Sequence, residues 1–100
     1  MGWFWPSWLR RRKSSLAHVV VVLYTRPGCH LCDDAKSLLQ DRQRSWGYHL
    51  TETNVDADPE LANRYGECVP VVTVDGKLRF RGRISGKLLD RLWTGIANSP

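Results

Sequence analysis

Residues 24–32 read Tyr-Thr-Arg-Pro-Gly-Cys-His-Leu-Cys and place two thiols, Cys29 and Cys32, three positions apart. The apolar, β-branched run at 18–24 that leads into them predicts a strand covered on both faces of a sheet. Proline and glycine at 27–28 then end the strand. Apolar residues recur at helical spacing from Cys29 onward, so both sulfurs are expected in the first turns of a helix. Free backbone N–H groups and the helix dipole stabilise a thiolate there, and Cys29, nearest the end, is the predicted nucleophile.

The size and composition of the chain indicate one small domain, because 100 residues suffice for a single hydrophobic core. Three cysteines are an odd number at uneven spacing, which favours an intracellular, cytoplasmic protein with reduced thiols over a secreted disulfide framework. The formal net charge is +5, and residues 10–13 alone supply +4. The folded part is therefore nearly neutral, and nucleic-acid binding is not expected. The cations considered as a modest basic face, and interpreted as solvated surface, are Arg79, Arg81, Arg83, Lys87 and Arg91.

Residues 1–17 are predicted to form a tail, and residues 18–100 the domain. The tail opens with three tryptophans and a phenylalanine at 3–8, and a basic run follows at 10–13. A secretory signal has the reverse order, and this apolar stretch is too short to span a bilayer. Tryptophans beside arginines suit contact with a membrane surface. A mobile tail, or a flap packed on an apolar surface of the domain, is the simpler interpretation.

Strand and helix patterns alternate after the two cysteines. The helix that carries them is predicted to run to residue 43 or 44, with Gly47 as a C-cap. A second strand is predicted at 48–55, parallel to the first because a helix connects them. A short helix then begins at Pro59 and ends at Gly66.

A β-hairpin is the clearest local signal. Two strand-forming stretches, 71–74 and 77–81, flank Asp75-Gly76, a dipeptide favoured in tight antiparallel turns. Leu78 and Phe80 are expected to share one face of the second strand, with arginines on the other. Apolar residues after the hairpin recur at helical spacing and predict a final amphipathic helix.

The order β-α-β-α-β-β-α, with a CxxC at the first helix and Val69-Pro70 before the hairpin, resembles the glutaredoxin type of the thioredoxin fold. The resemblance covers about residues 18–97. It implies an α/β domain with a mixed four-stranded sheet and helices on both faces. In that family the proline is cis and lies against the cysteines, and the preceding residue pairs its main chain with the substrate. The resemblance therefore implies that Pro70 and Val69 bind substrate.

Thiol–disulfide exchange is the function that this resemblance predicts. Cys29 attacks a protein disulfide or a glutathione mixed disulfide, and Cys32 resolves the intermediate. Arg26 is predicted to contact substrate. Arg26 and the helix dipole stabilise a thiolate on Cys29, whereas Asp33 and Asp34 in the same first turns oppose them, and the balance stays open. No resident cofactor or metal is expected, and the protein is expected to be a monomer. Glutathione is the candidate co-substrate, but residues 82–86 lack the second glycine and the acid that hold it in the family, so its binding is expected to be weak or absent.

Two other functions are kept as alternatives. Cys68 could join Cys29 and Cys32 in a metal or iron–sulfur carrier, although a small residue that fills the place of the family's usual threonine is the simpler interpretation. The domain could also be redox-inert and serve interaction alone, at a membrane surface through its tail.

Overall fold

The computed structural model describes residues 16–98, so the predicted tail, apart from Leu16 and Ala17, lies outside the described residues. The strands and helices are β1 (Val20–Thr25), α1 (His30–Trp46), β2 (His49–Asn54), α2 (Pro59–Tyr65), β3 (Val71–Val74), β4 (Lys77–Arg81) and α3 (Gly86–Ala97), with a 3₁₀ turn at Val55–Ala57. The sheet order is β2-β1-β3-β4; β1 and β2 run parallel, and the other pairs antiparallel. The predicted mixed sheet and element order are confirmed. Within residues 16–98, no helix has the length and apolar character needed to cross a membrane.

Helices pack on both faces of the sheet. Val21 and Leu23 of β1 are buried in a core shared with α1 and α3. Tyr24 points to the opposite face, where its ring lies 4.7 Å from that of Tyr65 in α2. Val20, also on this second face, is 45% exposed. The expectation that β1 is covered on both faces is therefore wrong at its start, because α2 packs at the other end of the strand.

The core includes a residue that the sequence pattern assigns to the tail. Leu16 is fully buried, and its N–H donates to the Trp46 carbonyl at the end of α1, with an N–O distance of 3.1 Å. Burial of a leucine side chain contributes about 1.5–3 kcal/mol. The packed part of the chain therefore extends at least to Leu16, beyond the predicted boundary at His18.

Backbone conformations at two turns agree with the sequence signals. Gly47 adopts a left-handed conformation (φ 78°) and caps α1, which ends at Trp46, slightly later than predicted. Asp75 and Gly76 both have positive φ, 51° and 84°, as a type I′ hairpin turn requires. The Asp75 carboxylate accepts a 2.9 Å hydrogen bond from the Val20 N–H. The turn therefore fixes the hairpin against the start of β1.

The pairing of β3 with β4 contains a bulge. Val72 lies opposite Phe80, but the next residue, Thr73, lies opposite Leu78, which leaves Arg79 as an extra residue on β4. Neighbouring residues on β3 point to opposite faces, so Leu78 and Phe80 do as well. The prediction that they share a face is wrong, because Phe80 packs against the core while Leu78 is 43% exposed.

Tyr48 is a buried core residue whose ionisation affects the stability of the fold at high pH. Its side chain is 2% exposed, its hydroxyl donates to the Leu39 carbonyl, and its ring lies 4.6 Å from that of Trp93. Burial raises the pKa of Tyr48 above its ordinary value of 10.0. Because the folded pKa exceeds the unfolded one, this contribution to stability is complete below the ordinary pKa and is lost as the pH rises above it.

Tyr48→Phe is expected to lower the free energy of unfolding by about 1 kcal/mol near neutral pH, because a hydrogen bond is lost. The same change should flatten the decline in stability above about pH 10, because the titrating group is gone. Urea unfolding of both proteins across neutral and alkaline pH measures the two effects. Equal alkaline slopes in the two proteins would contradict this account.

Candidate active site

The two cysteines lie where β1 gives way to α1. Gly28 has a positive φ of 77°, a conformation that glycine adopts without strain, and it turns the chain into the helix. Cys29 is the N-cap of α1, with an extended backbone, and Cys32 lies in the first turn. The loop thus brings both thiols to the edge of the sheet at which β1 ends.

The sulfurs of Cys29 and Cys32 are joined in a disulfide, with the Cα atoms 5.2 Å apart, a separation within the usual range for such bonds. Cys29 is partly exposed, whereas Cys32 is only 2% exposed. Solvent therefore reaches Cys29 more readily than Cys32.

The start of α1 supplies a hydrogen-bond donor to one sulfur. The backbone N–H of Cys32 donates to Cys29 Sγ at 3.1 Å, and it is one of the N–H groups that have no acceptor within the helix. The positive end of the helix dipole acts at the same point. Both effects stabilise a thiolate more than a thiol, which favours Cys29 as the nucleophile.

A cleft of about 200 Å³ opens beside Cys32. The residues that line it are Thr25, Arg26, Pro27, Gly28, Cys32, Asp33, Glu52 and Asn54. The buried Thr25 hydroxyl donates to Glu52 Oε2 at 3.0 Å, and the Lys36 ammonium lies 2.9 Å from Glu52 Oε1. These groups form a polar wall on the β2 side of the cysteine pair.

Glu52 carries a paired charge beside the cleft. The hydrogen bond and the charge of Lys36 lower the pKa of Glu52, so the carboxylate stays ionised at neutral pH. The ammonium of Lys36 balances this carboxylate, and Glu52 lines the same cleft as Cys32.

The composition of this polar wall was missed by the sequence analysis. The parallel register of β1 with β2 aligns Thr25 with Asn54 and Leu23 with Glu52. The signal was present, because the ends of adjacent parallel strands lie at one edge of a sheet. This signal did not single out Glu52, because Glu52 lies within a strand pattern without interrupting it and belongs to no motif.

Arg26 connects the loop before Cys29 to the rest of the domain. Its Nη2 lies 3.0 Å from Asp56 Oδ1, its Nε donates to the same carboxylate at 3.1 Å, and its Nη1 donates to the Gly66 carbonyl at 2.8 Å. Asp56 therefore balances the guanidinium charge. Arg26 also lines the cleft, and its predicted contact with substrate stays a prediction.

The absence of a side chain at Gly66 leaves space for the Arg26 guanidinium. A Cβ at Gly66 would lie 2.8 Å from Arg26 Nη2 and closer still to the Ala62 carbonyl oxygen.

We expect Gly66→Ala to lower the free energy of unfolding by about 1–3 kcal/mol, since a buried contact must shift. Gly95→Ala is the control, because a Cβ there meets nothing within 4 Å and should raise helix stability by about 0.5–1 kcal/mol. Chemical unfolding of both variants checks the pair; a neutral effect of Gly66→Ala would contradict the packing argument.

The Val69–Pro70 peptide bond is cis. Tyr24 pairs with Val71, so the antiparallel register continues to bring Pro70 beside Thr25, at the same sheet edge as the cysteines. The Gly82 N–H donates to the carbonyls of Pro70, at 2.7 Å, and Cys68, at 3.2 Å. This segment is therefore held by the residue that follows β4, and the substrate-binding roles of Val69 and Pro70 stay predictions.

The third cysteine lies outside the disulfide. Cys68 is a free, partly exposed thiol. In the part of the chain from 16 to 98, no group of three or more His, Cys, Asp or Glu side chains is arranged to hold a metal ion. The geometry therefore gives no support to a carrier built from Cys29, Cys32 and Cys68 of one chain.

Comparisons with known proteins agree with this architecture. Residues 20–92 match the family model described as a glutaredoxin-like domain (DUF836). The comparison with curated proteins found no match.

Many solved structures are similar to the chain, and three of them illustrate the likeness. Protein Ne2328 from Nitrosomonas europaea is 25% identical, with a TM-score of 0.64, over 74% of this chain and 89% of that one. Target protein XcR50 from X. campestris is 26% identical, with a TM-score of 0.60, over 80% and 99%. A mutant thioredoxin from Halobacterium salinarum is 19% identical, with a TM-score of 0.65, over 96% and 88%. This last likeness concerns the fold alone.

Proposed function

The chain belongs to the glutaredoxin-like domain family, and on that basis we propose that it is a thiol–disulfide oxidoreductase. Its substrates are protein disulfides or glutathione mixed disulfides. The observation that carries the proposal is the asymmetric pair at the start of α1, in which the partly exposed Cys29 sulfur accepts an N–H and Cys32 is buried. This asymmetry supports a nucleophilic and a resolving role for the two thiols.

The reaction proceeds in two exchange steps. The Cys29 thiolate attacks one sulfur of the substrate disulfide, forms a mixed disulfide and releases the first substrate thiolate, which takes a proton from water. Cys32 then gives up its proton and attacks the Cys29 sulfur, which forms the Cys29–Cys32 disulfide and releases the second substrate thiolate. The substrate gains two electrons and the protein loses two. Two external thiols, or one dithiol, restore the reduced pair and are themselves oxidised to a disulfide.

Substrate recognition is assigned to the segment beside the cysteines. The Val69 main chain pairs with an extended stretch of substrate, and Pro70 packs beside the reacting sulfurs. The location of Pro70 next to Thr25, at the edge where β1 ends, supports this assignment. Glutathione serves as reductant or substrate with low affinity, since residues 82–86 lack the family's second glycine and acid. The reaction suits a reducing compartment such as the cytoplasm.

The test is a reduction assay with the full chain and two substrates, a protein disulfide and a glutathione-capped peptide, with dithiothreitol as reductant. We expect turnover of at least one substrate above the background of the Cys29→Ser/Cys32→Ser double variant. Rates equal to that background with both substrates would contradict the proposed function.

A further inference from the structure

The side chain of Arg26 joins segments that are far apart in the sequence. Arg26 itself belongs to the loop that leads from β1 to Cys29. Its Nη2 and Nε contact the carboxylate of Asp56, in the 3₁₀ turn after β2, at 3.0 and 3.1 Å. Its Nη1 donates to the carbonyl of Gly66, directly after α2, at 2.8 Å. One guanidinium therefore connects the loop before the cysteine pair to two other segments.

Gly66 begins the short segment that leads to β3 and carries Val69. The Gly82 N–H holds the later part of this segment through two of its carbonyls, at 2.7 and 3.2 Å. Arg26 holds its first residue. Val69 thus lies between one attachment to the residue after β4 and another to the loop before Cys29.

The sheet itself does not fix Val69. The antiparallel pairing of β1 with β3 ends at Tyr24 and Val71, so Val69 lies two residues before the paired part of β3. The position of Val69 relative to the cysteine pair therefore depends on attachments other than the strand ladder. Arg26 supplies the one that starts from the loop before Cys29.

The shape of the guanidinium suits this connection. Its N–H groups lie in one plane and point in fixed directions, so bonds to Asp56 and Gly66 together define both a distance and an angle. The ion pair with Asp56 is half-exposed, and such pairs add little to global stability. The consequence of losing Arg26 is therefore expected in the geometry of the site more than in the stability of the fold.

We propose that Arg26 is a positioning residue, which sets the distance between the Cys29 sulfur and the Val69 main chain by holding Gly66 near the loop before Cys29. The inference rests on the proposed function and deepens it, because it makes Arg26 matter for one class of substrate. Disulfides within an extended polypeptide pair with Val69 and need that distance to be correct. A small disulfide without a main chain needs only the sulfur.

The test is a single-turnover reaction of the reduced full chain with two substrates, a flexible peptide closed by a disulfide and the disulfide of mercaptoethanol. Formation of the Cys29–Cys32 disulfide is followed by alkylation and mass spectrometry. The readout is the ratio of the second-order rate constants for the peptide and the small disulfide. Because both substrates react with the same sulfur, a change in its reactivity cancels in this ratio. Arg26→Gln should lower the ratio on the order of tenfold, as expected when a bound substrate is misplaced.

Two further variants separate the geometry of Arg26 from its charge. Arg26→Lys keeps the charge but loses the planar fork, so the ratio should stay low. Asp56→Asn weakens one of the two contacts and should lower the ratio by a smaller factor. The control Arg44→Gln removes the same charge from an exposed site in the last turn of α1 and should change the ratio by less than about twofold.

An unchanged ratio in Arg26→Gln would overturn the positioning role, even if both rates fell. Full recovery of the ratio in Arg26→Lys would assign the effect to charge and would also overturn it. If the unaltered protein reacts with neither substrate, the proposed function is wrong and this inference fails with it. Urea unfolding checks that each variant is folded, and Asp56→Asn decides the question if Arg26→Gln is not.

Discussion

Cys29→Ser is expected to abolish disulfide reduction, with a rate lower by at least about 10³-fold, as is usual when a covalent nucleophile is lost. A serine hydroxyl at this position forms no mixed disulfide with substrate. Cys32→Ser should behave differently, because the Cys29 sulfur still attacks but nothing resolves the product. Mass spectrometry of each variant after incubation with a protein disulfide distinguishes the two outcomes.

The predicted pattern is no adduct with Cys29→Ser and a reducible adduct of one substrate chain with Cys32→Ser. Cys68→Ser is the matched control, since this thiol lies outside the disulfide and should leave turnover nearly unchanged. An adduct on Cys32 in the Cys29→Ser protein, at the rate seen with the intact pair, would reverse the assigned roles. A large loss of turnover with Cys68→Ser would show that a third thiol takes part.

Trp93→Ala is expected to have the largest effect on stability. The indole is fully buried and packs on Tyr48 within the core that α3 shares with the sheet. Truncation of a buried tryptophan costs about 3–5 kcal/mol, a large part of the roughly 5–15 kcal/mol by which a domain is stable. Urea unfolding at neutral pH measures the difference.

Leu88→Ala on the same helix is the control for Trp93→Ala. Leu88 is 50% exposed, so its truncation should change the free energy of unfolding by less than about 0.5 kcal/mol. If Trp93→Ala costs no more than Leu88→Ala, α3 is not packed as described. Trp93→Phe offers a milder step, expected to fall between the two because it keeps an aromatic ring in the core.

Much of the fold was predictable because local signals agreed with one another. Asp75-Gly76 has few conformations other than a tight hairpin turn, and Gly47 follows the last helical residue in the left-handed conformation that glycine favours. The position of Cys29 also followed from local pattern, because helical periodicity begins immediately after it. These features depend on neighbours in sequence, which a single chain displays.

Features that depend on contacts between distant segments were predicted less well. The bulge at Arg79 does not alter the alternating sequence pattern of β4. It changes only the register, that is, which β4 residue lies opposite each β3 residue. The partial exposure of Val20 depends on where α2 packs. The bonds from Arg26 to Asp56 and Gly66 join residues 30 and 40 positions apart. The periodicity of apolar residues in a sequence does not indicate which distant residues form hydrogen bonds.

A redox titration of the full chain tests the central claim most directly. The protein is equilibrated in thiol–disulfide buffers over a range of potentials, alkylated and analysed by mass spectrometry. The account predicts that Cys29 and Cys32 lose and regain reactivity together in one reversible two-electron transition, while Cys68 remains open to alkylation throughout. Failure of Cys29 and Cys32 to form a reversible disulfide at any accessible potential would contradict it.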